Sequence, residues 1–208
     1  MIRARALGAD ALDRYAEYGD HIHGSGRSLL KIIDGLLDMT TTEAGRYVLA
    51  EETLTLAQIV APVLDSLRPA AEGVGVRLAA EFPPTLPALR VDVHAVRQVF
   101  GNVLSNALKF TPRNGAIVVS AAIEESGAVA VTVADTGCGI PPERLARIFE
   151  PFVRTDAYVA RPNEGMGIGL AVSRSFMELH GGTLDIQSVE GRGTTVVVRF
   201  PASRIAGL

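Results

Sequence analysis

Three polar side chains near the middle of the chain could bind a charged ligand together. Asn102, Asn106 and Lys109 are separated by four and then three residues, so a helix presents them on one face. Two amides and an ammonium group can hold a hydrated magnesium ion and the phosphates that it bridges, because Mg²⁺ keeps several waters and needs only one or two protein oxygens. Taken alone, the row fits a solvated helix face equally well.

A second candidate follows a strand in which Val129, Val131 and Val133 alternate, within the segment Asp135-Thr136-Gly137-Cys138-Gly139-Ile140. Asp135 continues that alternation onto the buried side, where an unpaired carboxylate is costly. An adenine amino group could donate to this carboxylate, and glycines let the backbone approach a base closely. The alternative for this segment is a tight turn with a capping aspartate.

A third candidate is the run Gly165-Met166-Gly167-Ile168-Gly169-Leu170, which opens a helix. Glycines before a helix N-terminus expose backbone N–H groups and the positive end of the helix dipole to an anion. The run lacks the preceding strand and the final glycine of a dinucleotide fingerprint, and no Gly-Lys-Ser/Thr triplet of a P-loop occurs in the sequence.

The elements that must position these residues follow from hydrophobic periodicity and from Gly and Pro punctuation. Strands and helices mix without βαβ repetition, which predicts an α+β fold with one mixed sheet covered by helices on one face. Helices are predicted over residues 10–44, 57–72, 93–110, 143–149 and 169–180. Strands are predicted near Leu54 and over residues 76–82, 117–124, 129–135, 183–189 and 194–200.

The first of these helices carries a coiled-coil pattern. Apolar or small residues alternate spacings of three and four at Ile22, Ser25, Leu29, Ile32, Leu36 and Met39. Such a stripe can pack on its own domain or pair with another helix. We favour pairing between subunits.

Composition limits the other classes of function. The chain has 208 residues, 48% of them hydrophobic, with a net charge of -3, which gives no footprint for nucleic acid or an anionic membrane. No stretch approaches the roughly 18 to 20 apolar residues that span a bilayer, and no signal-peptide pattern follows Met1. Cys138 is the only cysteine, which excludes a disulfide framework or a cysteine zinc site. These features suit a cytoplasmic protein or the cytoplasmic piece of a larger one.

The order and spacing of the motifs resemble those of sensor histidine kinases of two-component systems. The matching segments are Asn102-x3-Asn106-x2-Lys109-Phe110, Asp135-Thr136-Gly137-x-Gly139, Phe149-Glu150-Pro151-Phe152, the glycine run, His180-Gly181-Gly182 and Gly191-x-Gly193-Thr194-Thr195. The resemblance spans roughly residues 15 to 201. It implies a two-layer α/β sandwich of the Bergerat type over residues 47–208. Residues 1–46 would be the second helix of a dimerisation and histidine phosphotransfer region.

The resemblance also implies roles for individual residues around Mg²⁺ and ATP. Asn106 would be the magnesium ligand, with Asn102 close to the ion and the phosphates, and Lys109 would contact phosphate. Asp135 would accept a hydrogen bond from the adenine amine. The remaining assignments are Phe110 against the nucleotide, Gly137 and Gly139 around the base, Gly165, Gly167, Gly169 and Leu170 at the phosphates, Thr195 on the adenine side, and Arg154 reaching the terminal phosphate from a mobile lid over residues 151–164.

The expected activity is therefore ATP-dependent phosphorylation of a protein histidine, with a response regulator receiver domain downstream and a homodimer or partner kinase bound through the N-terminal helix. Related ATPases of this fold have a glutamate in place of Asn102, and an amide cannot act as a general base, so slow ATP hydrolysis is expected. In the family, the first helix of the dimerisation region would carry the phosphate-accepting histidine in a short motif. That motif does not occur in this sequence, and His21 and His23 fall on the helix that resembles the second one. Autophosphorylation by this chain alone is thus expected to fail. The alternative is a non-catalytic nucleotide-binding or adaptor module that docks a response regulator or a kinase.

Overall fold

The computed structural model describes residues 12–43, 46–151 and 167–206. The helices are α1 (Leu12–Glu43), α2 (Leu56–Val74), α3 (Val93–Phe110), α4 (Pro142–Leu145) and α5 (Gly169–Leu179), followed by a 3₁₀ turn at Ala202–Arg204. The strands are β1 (Glu51–Leu54), β2 (Arg77–Glu81), β3 (Leu89–Asp92), β4 (Ala116–Ile123), β5 (Val129–Asp135), β6 (Thr183–Val189) and β7 (Gly193–Phe200).

Five of the strands form the mixed sheet that the sequence predicts, in the order β2-β4-β5-β7-β6. Only the β2–β4 pair is parallel, and the other neighbours are antiparallel. Apolar side chains of the sheet and of α2, α3 and α5 form one buried cluster, so the helices cover one face of the sheet. The α+β expectation is confirmed. Strands β1 and β3 form a separate antiparallel pair.

Helix α3 begins at an aspartate that joins three segments. Asp92 is the N-cap: its Oδ1 accepts from the Ala95 N–H at 3.0 Å, and its Oδ2 accepts from the Ala50 N–H at 3.0 Å. Burial alone would raise the pKa of Asp92, but these backbone donors and the Tyr47 hydroxyl lower it overall. The first turn of α3 is therefore fixed to the segment that precedes β1.

The end of α5 is anchored to the same point. His180, which is buried, accepts at Nε2 from the Asp92 N–H at 3.0 Å, and its Nδ1 lies 2.7 Å from the Phe176 carbonyl oxygen. A carbonyl can only accept, so Nδ1 carries the proton and the ring is neutral. Burial lowers the pKa of His180. This histidine is structural, and it fixes the C-terminus of α5 beside the N-terminus of α3.

Helix α1 exposes much of its apolar stripe. Ile22 is 65% exposed and Leu29 is 57% exposed, although both belong to the coiled-coil pattern. In its C-terminal half the helix approaches the start of α5, because a Cβ at Gly35 would lie 3.8 Å from Cγ2 of Ile168, the residue before α5. Among the described residues, no helix combines the length and apolarity needed to span a bilayer.

Two local expectations differ from the structure. Strand β3 was not expected, since it has only four residues after Pro87 and its partner β1 is equally short. Helix α4 ends at Leu145 rather than near Phe149, and the chain continues in turns. Both differences concern elements that are too short for periodicity to reveal.

Candidate functional site

A cavity of about 360 Å³ lies between the inner face of the sheet, α3 and the segment around α4. This volume falls in the usual range for small-molecule sites, about 300–1,000 Å³. The walls are mostly apolar, with a few polar groups. The lining residues are Val103, Asn106, Ala107, Phe110, Val133, Asp135, Cys138, Gly139, Ile140, Pro141, Glu143, Arg144, Ile148, Leu170, Ile186, Glu190, Thr194 and Val196.

Asp135 is the polar lining residue best placed to form a hydrogen bond with a ligand. Its Oδ1 accepts from the Gly137 N–H at 2.8 Å and from the Thr194 N–H at 3.2 Å. No hydrogen bond from the described residues reaches Oδ2, so that atom can accept from a ligand donor. Burial raises the pKa of this carboxyl, and the two backbone donors offset part of the rise. The arrangement favours a ligand with an N–H or amino group.

Asp135 is part of a polar row that crosses three adjacent strands at one end of the sheet. It lies opposite Thr194 on β7, which in turn lies opposite Ser188 on β6. The next row inward on the same face consists of Val133, Val196 and Ile186. Asp135 and Thr194 of the polar row thus line the cavity together with the three apolar residues of the next row.

The row shows that Thr194, not Thr195, lies at the cavity. Side chains alternate along a strand. Thr194 therefore lies on the same face of β7 as Val196, and both residues line the cavity. Thr195 lies on the other face, opposite Ala134 and Gln187. Thr195, which was expected on the adenine side, thus does not line the cavity, and two consecutive threonines offer no sequence signal for which one faces inward.

Two glycines allow the loop after β5 to approach its neighbours. A Cβ on Gly137 would lie 2.6 Å from Asp135 Oδ1 and 2.7 Å from the Phe110 carbonyl oxygen. Gly139 has φ of 68°, and a Cβ there would lie 2.1 Å from the Val189 carbonyl oxygen. Gly139 lines the cavity itself. Gly137 does not, but its N–H donates to Asp135 Oδ1.

The polar row of α3 divides between two environments. Asn106 lines the cavity together with Phe110. The side chain of Asn102 instead donates from Nδ2 to the Gly169 carbonyl at 3.0 Å and to Ser173 Oγ at 3.1 Å. Lys109 lies outside the lining residues, with its Nζ 5.0 Å from the centre of the Phe110 ring.

At the start of α5, Leu170 lines the cavity, whereas Gly167 and Gly169 do not. Gly169 is needed for close packing, since a Cβ there would lie 3.2 Å from Asn102 Cγ. The predicted residues Arg154 and Gly165 lie outside the described residues.

Several lining residues were not among the sequence-predicted ones. The polar ones are Thr194, Cys138, Glu143, Arg144 and Glu190. Cys138 lies between two motif glycines, so its place within the motif could have indicated it. Glu143 and Arg144 lie in the short helix α4 and Glu190 lies in a turn, and nothing in their spacing distinguishes them from solvated residues.

The comparisons with known proteins agree with this geometry. Residues 91–204 match the model of the family described as histidine kinase-, DNA gyrase B- and HSP90-like ATPase. This match covers more than half of the chain. The chain belongs to this ATPase family.

Within the family, the relatives point to histidine kinases. The histidine protein kinase DivJ of Caulobacter vibrioides is 41% identical over 201 residues, which are 97% of this chain and 33% of DivJ. The non-motile and phage-resistance protein of the same species is 39% identical over 191 residues, covering 90% of this chain and 23% of that protein. The ATPase domain described above is thus the catalytic domain found in sensor histidine kinases.

A solved structure extends the likeness to three dimensions. Full-length ShkA, crystallised in complex with AMPPNP, superposes with a TM-score of 0.78 at 29% identity, over 90% of this chain and 39% of ShkA. The chain spans only about a quarter to a third of the length of the curated relatives DivJ and the phage-resistance protein.

The donor groups of this ATPase site suit a magnesium ion carried by phosphates. No cluster of three or more His, Cys, Asp or Glu side chains capable of holding a metal occurs within residues 12–43, 46–151 and 167–206. The amide of Asn106 fits a partly hydrated Mg²⁺, which takes few protein ligands beside phosphate oxygens.

Proposed function

We propose that this chain binds Mg-ATP in the cavity and transfers the γ-phosphate to a histidine of a protein substrate, as the catalytic portion of a two-component sensor kinase. The observation that carries the proposal is the half-buried Asp135, which lines the same cavity as Asn106 and Phe110 and whose Oδ2 accepts no hydrogen bond from the described residues. An adenine amino group would donate to Oδ2, and the triphosphate would extend toward α5. The AMPPNP complex of ShkA supports this occupant.

The remaining assignments follow from chemistry. Asn106 would hold magnesium, Lys109 would bind phosphate, and the first residues of α5 would face the phosphates. Arg154 and Gly165 stay predictions for the segment outside the described residues. Asn106 would hold the magnesium ion, which would supply charge neutralisation for the transferring phosphate. The chain's own residues would orient the nucleotide and keep it in place for an acceptor.

Asn102 bears on what the site does with ATP. Its amide has no basicity at neutral pH, and its Nδ2 is already committed to Gly169 and Ser173. The described site therefore offers no general base at this position to activate water. We expect ATP to be bound and hydrolysed slowly, so that the γ-phosphate is kept for the histidine acceptor.

The acceptor would lie on a helix that this sequence does not contain, supplied by a longer protein or by another chain. The exposed stripe of α1 would pair with a second copy or a partner kinase, and a response regulator receiver domain would take the phosphate from the histidine. Since ATP is the donor, we place this activity in the cytoplasm. We propose no nucleic-acid partner and no membrane contact for this segment.

Phosphotransfer can be tested with a relative as substrate. The purified chain is mixed with labelled Mg-ATP and with full-length DivJ whose own nucleotide site has been inactivated. We expect acid-labile, alkali-stable phosphate on the DivJ histidine, absent with the Asn106→Ala variant. Appearance of such phosphate on this chain by itself would contradict the expected division of roles.

The adaptor alternative makes a different prediction in a binding experiment. A kinase site binds ATP more tightly with magnesium than without it, as measured by titration calorimetry on the purified chain. No binding in either condition would reject the kinase proposal and leave the adaptor.

A further inference from the structure

Ser188 is the outermost member of the polar row, and it has no role in the proposed phosphotransfer. It lies on β6, the edge strand of the sheet, opposite Thr194. Its Oγ accepts from the Ile140 N–H at 2.8 Å and donates to the Gly193 carbonyl oxygen at 2.9 Å. The same oxygen lies 2.9 Å from Thr194 Oγ1.

These three contacts determine which hydroxyl donates to which. A serine hydroxyl has one hydrogen to donate and two lone pairs to accept with. The carbonyl of Gly193 can only accept, so it takes the Ser188 hydrogen. Thr194 must then donate its own hydrogen to Ser188 Oγ, which fills the last position on Ser188. The Thr194 hydroxyl is left with acceptor lone pairs alone.

The neighbouring donors of the row are also committed. The backbone N–H groups of Gly137 and Thr194 both donate to Asp135 Oδ1, and the Ile140 N–H donates to Ser188. The two atoms of this row that are left to accept from a ligand are therefore Asp135 Oδ2 and Thr194 Oγ1, and both residues line the cavity. A ligand group placed there must donate hydrogen bonds, as an exocyclic amine does and a carbonyl oxygen does not.

We propose that Ser188 is a positioning residue that acts through Thr194 to select 6-amino purine nucleotides over 6-oxo purine nucleotides. The inference rests on the proposed binding of ATP in this cavity. Removal of the Ser188 hydroxyl frees the Thr194 hydrogen, which can then rotate toward the cavity and donate to a 6-oxo group. The penalty against the 6-oxo ligand falls as a result.

The test compares the affinities of the purified chain for Mg-ATP and Mg-ITP by calorimetry, because the two bases differ only at position 6 and the adjacent ring nitrogen. In Ser188→Ala we expect the ratio of the Kd for ITP to the Kd for ATP to fall about two- to tenfold, the contribution of one neutral hydrogen bond. Ser188→Thr, which keeps the hydroxyl, should retain the wild-type ratio. So should Gln187→Ala, which changes an exposed neighbour on the opposite face.

Thr194→Val tests the same inference by a second route that leaves Ser188 in place. With no hydroxyl to orient, the ratio should fall, and adding Ser188→Ala to this variant should change it no further. An equal loss of affinity for both nucleotides in Ser188→Ala, or a further change in the double variant, would overturn the inference. A wild-type chain that binds neither nucleotide would instead reject the proposed function itself.

Discussion

Two regions beside the cavity, which we propose as the base end and the phosphate end of the nucleotide site, are built in different ways. At the base end, Asp135 and Ser188 are held by backbone N–H groups of adjacent strands and loops, at distances of 2.8 to 3.2 Å. At the phosphate end, the described contacts are between two helices, where Asn102 of α3 meets Gly169 and Ser173 of α5. The base end is thus fixed by the sheet, whereas the phosphate end depends on how one helix sits on another.

This difference predicts which substitutions impair recognition and which impair the scaffold. Changes to the ligand-facing groups of the base end should alter nucleotide affinity and selectivity more than they alter stability. Changes at the junction of α3 and α5 should lower stability first. The following substitutions test this division.

The largest effect on affinity is expected from Asp135→Asn. The amide offers one acceptor oxygen in place of two, so either the backbone donors or the adenine amine loses its partner. A hydrogen bond to a charged group contributes about 1.5–3 kcal/mol, and ATP affinity should fall about 10- to 150-fold. Calorimetry measures the fall, with Asp185→Asn, at an exposed position, as the control. Unchanged affinity would remove Asp135 from the ligand site.

Asn102 and Asn106 differ by one helical turn and should separate the two roles. Asn102→Ala removes two hydrogen bonds to α5 and should lower the free energy of unfolding by about 1–2 kcal/mol. Asn106→Ala, at the cavity wall, should change stability by less than about 0.5 kcal/mol but weaken binding of Mg-ATP. Thermal unfolding and calorimetry on both variants provide the measurements. Equal stability losses would contradict the division.

His180 gives the scaffold a pH dependence of its own. Its pKa is lowered by burial in the folded chain, so the unfolded chain binds the proton first, near pH 6.5. Stability should be full above that pH and should fall as the pH decreases below it, by at most about 1.4 kcal/mol per pH unit. Asp92, whose folded pKa is lowered, matters only below about pH 4.

Urea unfolding between pH 7 and pH 5 measures the His180 contribution. The His180→Gln variant should be less stable at pH 7 but should lose less stability over this range. If both proteins show the same slope, the histidine is not held neutral in the folded state.

The smallest effect distinguishes the two threonines of β7. Thr194→Val should weaken ATP binding by about two- to tenfold, the weight of one neutral hydrogen bond. Thr195→Val, on the opposite side of the strand, should leave the affinity within error. Weaker ATP binding by Thr195→Val, with unchanged binding by Thr194→Val, would show that Thr195 and not Thr194 faces the nucleotide.

Much of this arrangement could be predicted from the sequence. The bounds of α3 and of β5 match the expected ones, because long apolar periodicity and the Thr111-Pro112 and Gly137 punctuation mark both elements. Asn106 and Asp135 were expected at the ligand site from their positions on these regular elements, and Phe110 was expected there from the family resemblance. All three line the cavity.

The features that the sequence did not predict are those for which spacing carries no information about three-dimensional contacts. Asn102 and Asn106 share a helix face, yet the helix that packs beside Asn102 decides that its amide binds α5. The polarity of the Ser188 and Thr194 hydroxyls depends on strand register, which no local pattern encodes. Glu190, in the turn between β6 and β7, lines the cavity, and nothing in its spacing along the sequence indicates this.

The place of Cys138 in the wall has a practical consequence. It is the only cysteine of the chain and one of the cavity residues. A small alkylating reagent will therefore label a single thiol, and the rate of labelling will report directly on whether the cavity is filled. This chain thus contains its own occupancy probe, which can be read by intact mass without any engineered tag or fluorescent nucleotide.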